Sequence, residues 1–196
     1  MNIDKQLKKP AWREWLESAV WAFILFLVIR TFVVQAFKIP TGSMRPTLKQ
    51  GDMLMVSKFW YGARIPGTNI RLPAVSQPKR GDVIVFLYPV DKKRDFIKRL
   101  IGVGGDTIEI KNGNIYVNGK AVDDPKISKR FYYNKEESRY GASGVKVHVP
   151  EGSYFVLGDN SASSYDSRYW GFVPKKYLIG KAFVIYWPPK RMGLIR

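Results

Sequence analysis

The chain has 196 residues, no cysteine and a single histidine, a length that suits one ordinary domain plus an appendage. Disulfides, thiol catalysis, Cys-based zinc sites and multi-His metal centres are thereby excluded, and the carboxylates show no metal-loop spacing, so neither a metal nor a cofactor is expected. A formal net charge of +17 calls for an anionic partner, either nucleic acid or a membrane surface.

The first predicted element decides between these. Residues 18–37, SAVWAFILFLVIRTFVVQAF, match the ~20 residues a helix needs to cross the hydrocarbon core. Arg30 interrupts the run near its C-terminal end, where a long side chain can snorkel outward. The competing reading is a cleaved leader, with Val34-Gln35-Ala36 as a cleavage-like triplet and Phe37 as the mature N-terminus. The length of the run and its continuation past Arg30 favour a retained anchor. Lys5, Lys8, Lys9 and Arg13 precede it, so the positive-inside rule makes residues 1–17 a cytoplasmic segment and places residues 38–196 outside. Nearly all of the net charge falls beyond the span. Anionic membrane lipids are therefore the expected partner there, and nucleic acid is not.

Directly after the span comes IPTGSMRPTLKQGD, residues 39–52. Gly42 permits a tight backbone turn, and Pro40 and Pro46 stiffen the chain around Ser43. A pre-organised turn of this kind suits a nucleophile and its oxyanion donors.

Short β-rich runs follow, separated by Gly, Pro, Asn and Asp. DMLMVSK (52–58), GDVIVFLYP (81–89), VKVHVPEGSYFVLGDN (145–160) and KAFVIYWPP (181–189) read as strands. DTIEIKNGNIYVNGKAV (106–122) splits into three alternating pieces at Asn112-Gly113 and Asn118-Gly119, a meander with good hairpin chemistry. Residues 61–80 read as a Pro- and Gly-rich surface loop, and residues 123–144 as a polar inserted loop. The fold class is mainly β: twisted antiparallel sheets or a partly closed barrel behind an N-terminal transmembrane helix.

If Ser43 is a nucleophile, a base must take its proton. His148 lies in VKVHVP on the strand face opposite Val145, Val147 and Val149, and reads as a surface residue. Lysine is the other option, provided that it is desolvated enough to lose its proton near neutral pH. In RDFIKRLIGVGGD (94–106), alternation puts Phe96, Lys98 and Leu100 on one strand face and Ile97, Arg99 and Ile101 on the other. Both cations thus have apolar neighbours, but arginine stays protonated, so only Lys98 can act as a base. Arg99, if close, would bias it towards neutrality. A lysine snorkelling to Asp91 or Asp95 is the bland reading of the same pattern.

PTGSMRPTL (40–48), Gly51-Asp52, RGDVIVF (80–86), FIKRLIG (96–102) with Gly105-Asp106, and GDNSASSYDSRYWGFVP (158–174) occur in an order that resembles bacterial type I signal peptidases, in the single-span form usual in Gram-positive bacteria. These are membrane-anchored serine proteases that remove signal peptides from exported preproteins. The resemblance implies Ser43 as nucleophile, Lys98 as base, and Thr41 with the Ser43 N–H as oxyanion hole. It implies that Ser164 orients the lysine amine and that Asp166 and Arg168 support Ser164. It also implies an extended substrate lying against residues 37–41 and 96–98, cut after small residues in an Ala-x-Ala-like pattern. Phe37, Ile39, Pro40, Met44, Leu48, Phe96 and Ile97 are the candidate substrate-binding residues. The chain departs from the family at Ser161, where arginine is usual, at Ala162-Ser163, and at Gly104, where proline is common. Two other functions stay open: a serine protease using His148 with Asp159 or Asp166, and a non-catalytic anchored β module that binds anionic envelope polymer.

Overall fold

Pro10, extended at φ −61° and ψ 137°, leads into helix α1 (Ala11–Val28). The helix continues through a π-helical turn, Ile29–Val33. In this computed structural model, which describes residues 10–65, 68 and 70–195, the helical run of 23 residues contains an 18-residue window with a mean hydropathy of 1.9, none of it buried against protein. At 1.5 Å per residue it is about 35 Å long, enough to cross a ~30 Å hydrocarbon core. Residues 1–9, with Lys5, Lys8 and Lys9, lie outside the described residues, as do 66, 67 and 69 of the predicted surface loop.

The predicted span is displaced from the helix. The helix begins at Ala11, and residues 34–37 belong to strand β1 (Val34–Lys38). Val33 and Val34 are β-branched and favour extended backbone. Antiparallel pairing with β2 (Met53–Ser57), from Val34↔Ser57 to Lys38↔Met53, then takes up backbone groups that another helical turn would otherwise satisfy.

The other strands are β3 (Val83–Leu87), β4 (Asp95–Val103), β5 (Thr107–Lys111), β6 (Asn114–Val117), β7 (Lys120–Ala121), β8 (Lys146–His148), β9 (Ser153–Leu157), β10 (Val173–Pro174), β11 (Leu178–Trp187) and β12 (Gly193–Leu194). They form a large curled antiparallel sheet ordered β1-β2-β11-β3-β4-β9-β10, with β12 on β11, and a smaller sheet ordered β7-β6-β5-β8. Register shifts in β4 and β11 bend the large sheet into a half-barrel. The predicted hairpins form at Asn112-Gly113 and Asn118-Gly119, whose φ values are all positive, as a two-residue turn demands.

Alternation along β3 sends Val83 and Val85 into a core with Ile39, Met44, Leu48 and Leu54, and Ile84 and Phe86 into a second core with Leu100 and Val156. A third core joins the small sheet to β4 and β9. Ile127 and Tyr132 belong to it. The predicted polar loop 123–144 therefore docks by two apolar anchors and includes a helical turn, Pro125–Ser128, capped by the Asp124 side chain accepting from Lys126 N–H.

Candidate active site

The 39–52 turn is closed at its base and plugged into the core. Ile39 N–H donates to Asp52 O (2.8 Å), Gly51 N–H donates to Ile39 O (2.9 Å), and Met44 and Leu48 are fully buried. Arg191, from the C-terminal end, grips Asp52 through both carboxylate oxygens at 2.8 Å and donates to Thr47 O at 3.1 Å. Burial alone would raise the Asp52 carboxyl, but hydrogen bonds from Arg191 and the Lys49 N–H hold it below the ordinary carboxylate value. At the tip, Asn160 holds the backbone on both sides of the turn. Its N–H donates to Ser43 O (3.0 Å) and its Nδ2 to Gly42 O (3.1 Å).

Lys98 meets this turn from β4. Its Nζ lies 2.7 Å from Ser43 Oγ, and the residue is 5% exposed. Desolvation pushes its pKa down to about 8, against the attraction of Asp166 and Asp159 and with the help of the Arg168 charge. The pairing register separates the two neighbouring cations. Lys98 is opposite Ile84, and Arg99 is opposite Val83. Arg99 goes to the other face, where it is bidentate to Asp159 (2.7 and 2.6 Å) and donates to Gly81 O (2.6 Å). The like charge acting on Lys98 thus comes from Arg168, not from Arg99 as the sequence suggested.

Thr41 Oγ1 lies 3.5 Å from Ser43 Oγ. Ser164 is placed differently from expectation. It is buried, but its Oγ has no hydrogen-bond partner, so the expected bond to the lysine amine is not made. The backbone packs tightly here: a Cβ on Gly158 would fall 2.2 Å from Ser164 Oγ and 2.6 Å from Ser43 O. Glycine at 158 is what lets the Ser164 loop approach the Ser43 turn.

Asp166 and Arg168 form a fully buried pair. Arg168 Nε and Nη2 each lie 2.8 Å from a carboxylate oxygen, and Asp166 also accepts from Gly158 N–H at 3.0 Å. Neither bonds to Ser43 or Lys98. Arg168 Nη1 also donates to Ser161 Oγ (2.7 Å), which in turn accepts from Tyr133 N–H (2.9 Å). Ser161, a departure from the family pattern, is thus a buried joint between the 158–168 loop and the 123–144 segment. Gly104 sits against the 151–152 backbone, where a Cβ would come within 3.0 Å of Glu151 Cα and Gly152 N.

A cavity of about 250 Å³ opens beside the Ser43–Lys98 pair, with Pro40, Thr41, Phe96 and Ile97 among its walls. Phe96 is stacked on Tyr88 with ring centroids 4.4 Å apart, so that wall is rigid. Ile39, Met44 and Leu48, expected as pocket walls, are core residues instead, because their side chains anchor the turn from below. Phe37 and Ile97 are half-buried and pack against that same core. Asp95, Ser163 and Tyr165 also line the cavity; Tyr165 was not singled out from sequence, and Asp95 was considered only as an ion-pair partner for Lys98. Nor were Asn160 and Arg130, whose roles depend on partners distant in the chain, and Asp159 was named only as a partner for His148. Arg130 Nε lies 3.1 Å from Asp159, and its Nη2 donates to Thr47 Oγ1 at 2.8 Å, so the 123–144 segment also braces the 39–52 turn. The adjacent Gly-Asp-Asn at 158–160 was the available signal. His148 is exposed on β8 of the small sheet, with Nδ1 3.5 Å from Thr107 Oγ1, while Asp159 and Asp166 are engaged by arginines. A triad built on His148 has no geometry here.

The arrangement offers a hydroxyl, a desolvated amine beside it, a second hydroxyl within reach, and a small apolar-walled cavity. Probable signal peptidase I-2 of Synechocystis sp. is 42% identical over 203 residues, which span 99% of this chain and 83% of that protein. Signal peptidase I of Pseudomonas fluorescens is 37% identical over 235 residues, spanning 99% and 83%. That of Pseudomonas aeruginosa is 35% identical over 223 residues, spanning 97% and 78%. Residues 12–187 match the family described as signal peptidase, peptidase S26, and with nearly the whole chain aligned to such relatives, the chain belongs to that family.

Proposed function

We propose that the chain is a membrane-anchored serine endopeptidase that removes signal peptides from preproteins through a Ser43–Lys98 dyad. The observation that carries this reading is the 2.7 Å contact between a buried lysine amine and Ser43 Oγ. With a pKa of about 8, roughly a tenth of that amine is neutral at pH 7 before substrate arrives. A docked peptide excludes further water and increases that fraction.

The preprotein lies extended between β1 with Pro40–Thr41 and the start of β4. Among the described residues β1 is an edge strand paired with β2, and residues 95–98 precede the stretch of β4 that β9 occupies. A strand added at these edges places alternate side chains towards the cavity. The rigid Phe96–Tyr88 wall supports a preference for small residues before the cut. Neutral Lys98 takes the Ser43 proton as Oγ bonds to the scissile carbonyl carbon. The oxyanion accepts from the Ser43 N–H and the Thr41 hydroxyl. The C–N bond then breaks, Lys98 returns its proton to the leaving amine, and an ester joins Ser43 to the signal peptide. Water, deprotonated by Lys98, hydrolyses that ester, and Ser43 regains its proton. Asp166 and Arg168 hold the loop that carries Ser164 and touch no substrate.

In this reading α1 spans the bacterial cell membrane once with its N-terminus in the cytoplasm, and the catalytic domain sits against anionic lipid on the other side. A preprotein cleavage assay with wild type, Ser43→Ala and Lys98→Met over pH 6–10 tests the dyad. Both variants should lose cleavage by at least about a hundredfold. Wild-type kcat/KM should rise with a midpoint near or below pH 8. Full activity in either variant removes the proposal.

A further inference from the structure

Two residues that line the catalytic cavity, Ser163 and Tyr165, come from the 158–168 loop, and neither has a part in the dyad chemistry. Ser164 and Asp166, on either side of Tyr165, are buried and have extended backbones, at φ −121°, ψ 126° and φ −140°, ψ −164°. Side chains alternate along an extended chain. Burying Ser164 and Asp166 therefore turns the Tyr165 ring the other way, to the mouth of the cavity, where the residue is 54% exposed.

Neighbouring rings hold it there. Its centroid lies 5.2 Å from that of Tyr169 and 6.4 Å from that of Tyr88, which is itself stacked on Phe96. Tyr169 is tied in turn to the 123–144 segment, its hydroxyl donating to Glu137 Oε1 at 3.4 Å. An aromatic face thus runs from the Phe96 wall across Tyr88 to Tyr165, and the last ring presents it to solvent beside Ser43 and Lys98.

In the acylation step Lys98 gives its proton to the departing nitrogen, so the residue after the cut leaves along Lys98 and away from Thr41, where the oxyanion sits. The peptide before the cut occupies residues 37–41 and 95–98. Of the described residues that line the cavity, Ser163 and Tyr165 are those left to meet the residue after the cut. We propose that Tyr165 is a specificity-determining residue for that position, the first residue of the mature protein, and that its ring receives a large apolar or aromatic side chain in preference to a small polar one. The contact removes from water apolar surface that both partners otherwise expose, and a second ring adds edge-on or offset-stacked attraction. The assignment rests on the Ser43–Lys98 reading, from which it takes the direction of the peptide.

The test measures kcat/KM of the full-length chain in detergent on two sets of signal-peptide substrates. One set varies only the residue after the cut (Phe, Leu or Ser), the other only the residue before it (Ala or Val). A ratio of two kcat/KM values from one preparation does not depend on how much of the enzyme is folded. Wild type should favour Phe over Ser after the cut by about 2- to 10-fold, the contribution of an aromatic contact. Tyr165→Ala should bring that ratio to about one without altering the Ala-to-Val ratio before the cut, and Tyr165→Phe, which keeps the ring, should retain it. Phe131→Ala removes an equally exposed ring that does not line the cavity and should also retain it. A wild type indifferent to Phe and Ser, a Tyr165→Ala ratio equal to wild type, or the same loss in Phe131→Ala overturns the assignment. So does a change confined to the residue before the cut, which would put the ring in the acyl pocket. Cutting by Ser43→Ala removes the dyad and this assignment with it, whereas an inactive Ser43→Ala beside an unchanged Tyr165→Ala ratio removes only the role of the ring.

Discussion

Replacing Lys98 with methionine should abolish cleavage and, in the same molecule, stabilise the fold. Burial lowers the amine from its ordinary 10.5 to about 8, a displacement that corresponds to about 3 kcal/mol. Below pH 8 both native and unfolded chains carry the protonated amine, and the native state bears the full cost of that buried charge. Between about pH 8 and 10.5 the unfolded chain binds more protons than the native one, so stability rises with pH across that window. Methionine removes the charge at similar volume and forfeits the 2.7 Å bond to Ser43 Oγ, worth about 1 kcal/mol. The net expectation is about 2 kcal/mol of added stability at pH 7, which for a chain of this length raises the melting temperature by roughly 4–8 °C. Thermal melts of both proteins in the same detergent at pH 7 and pH 10.5 measure it. The gap should close to within about 1 kcal/mol at the higher pH. A variant that melts below wild type at pH 7, or an offset that ignores pH, refutes the account of a desolvated amine.

Thr41→Val should lower kcat by about 100- to 1000-fold with little change in KM, and Thr41→Ser should restore most of it, because only the hydroxyl serves the oxyanion; steady-state kinetics on a preprotein would show the split. Asn160→Ala removes the side-chain bond to the Gly42 carbonyl, while the backbone bond to Ser43 O remains, and should cost roughly 10-fold in kcat. An unchanged rate would mean that the turn holds itself. Ser161→Ala strips an acceptor from buried Arg168 and from Tyr133 N–H and should destabilise by about 1–3 kcal/mol in urea melts. Arg191→Leu should cost roughly 1–3 kcal/mol at pH 7. Because the Asp52 carboxyl is held below its ordinary value, that difference should shrink as pH falls below about 4, where the wild type loses the same ion pair.

The sequence by itself determined the local elements. A membrane-length run of mostly apolar residues demands a helix that no protein surface covers, Asn-Gly pairs demand hairpins, and alternation marks strands. It also favoured one amine as the base, since arginine does not deprotonate and the single histidine, the runner-up, lies on a polar strand face. Tertiary structure decided what depended on long-range pairing. Lys98 and Arg99 look equivalent in the chain, each flanked by apolar neighbours, and only the register of β4 on β3 sends one to Ser43 and the other to Asp159. Ile39, Met44 and Leu48 were indistinguishable from pocket walls until the turn was seen to hang from them. Likewise the helix ends at Val33 because β2 is there to pair with residues 34–38, a partner that hydropathy cannot register. Periodicity states which residues share a face, but what that face meets is fixed by segments far away in the chain.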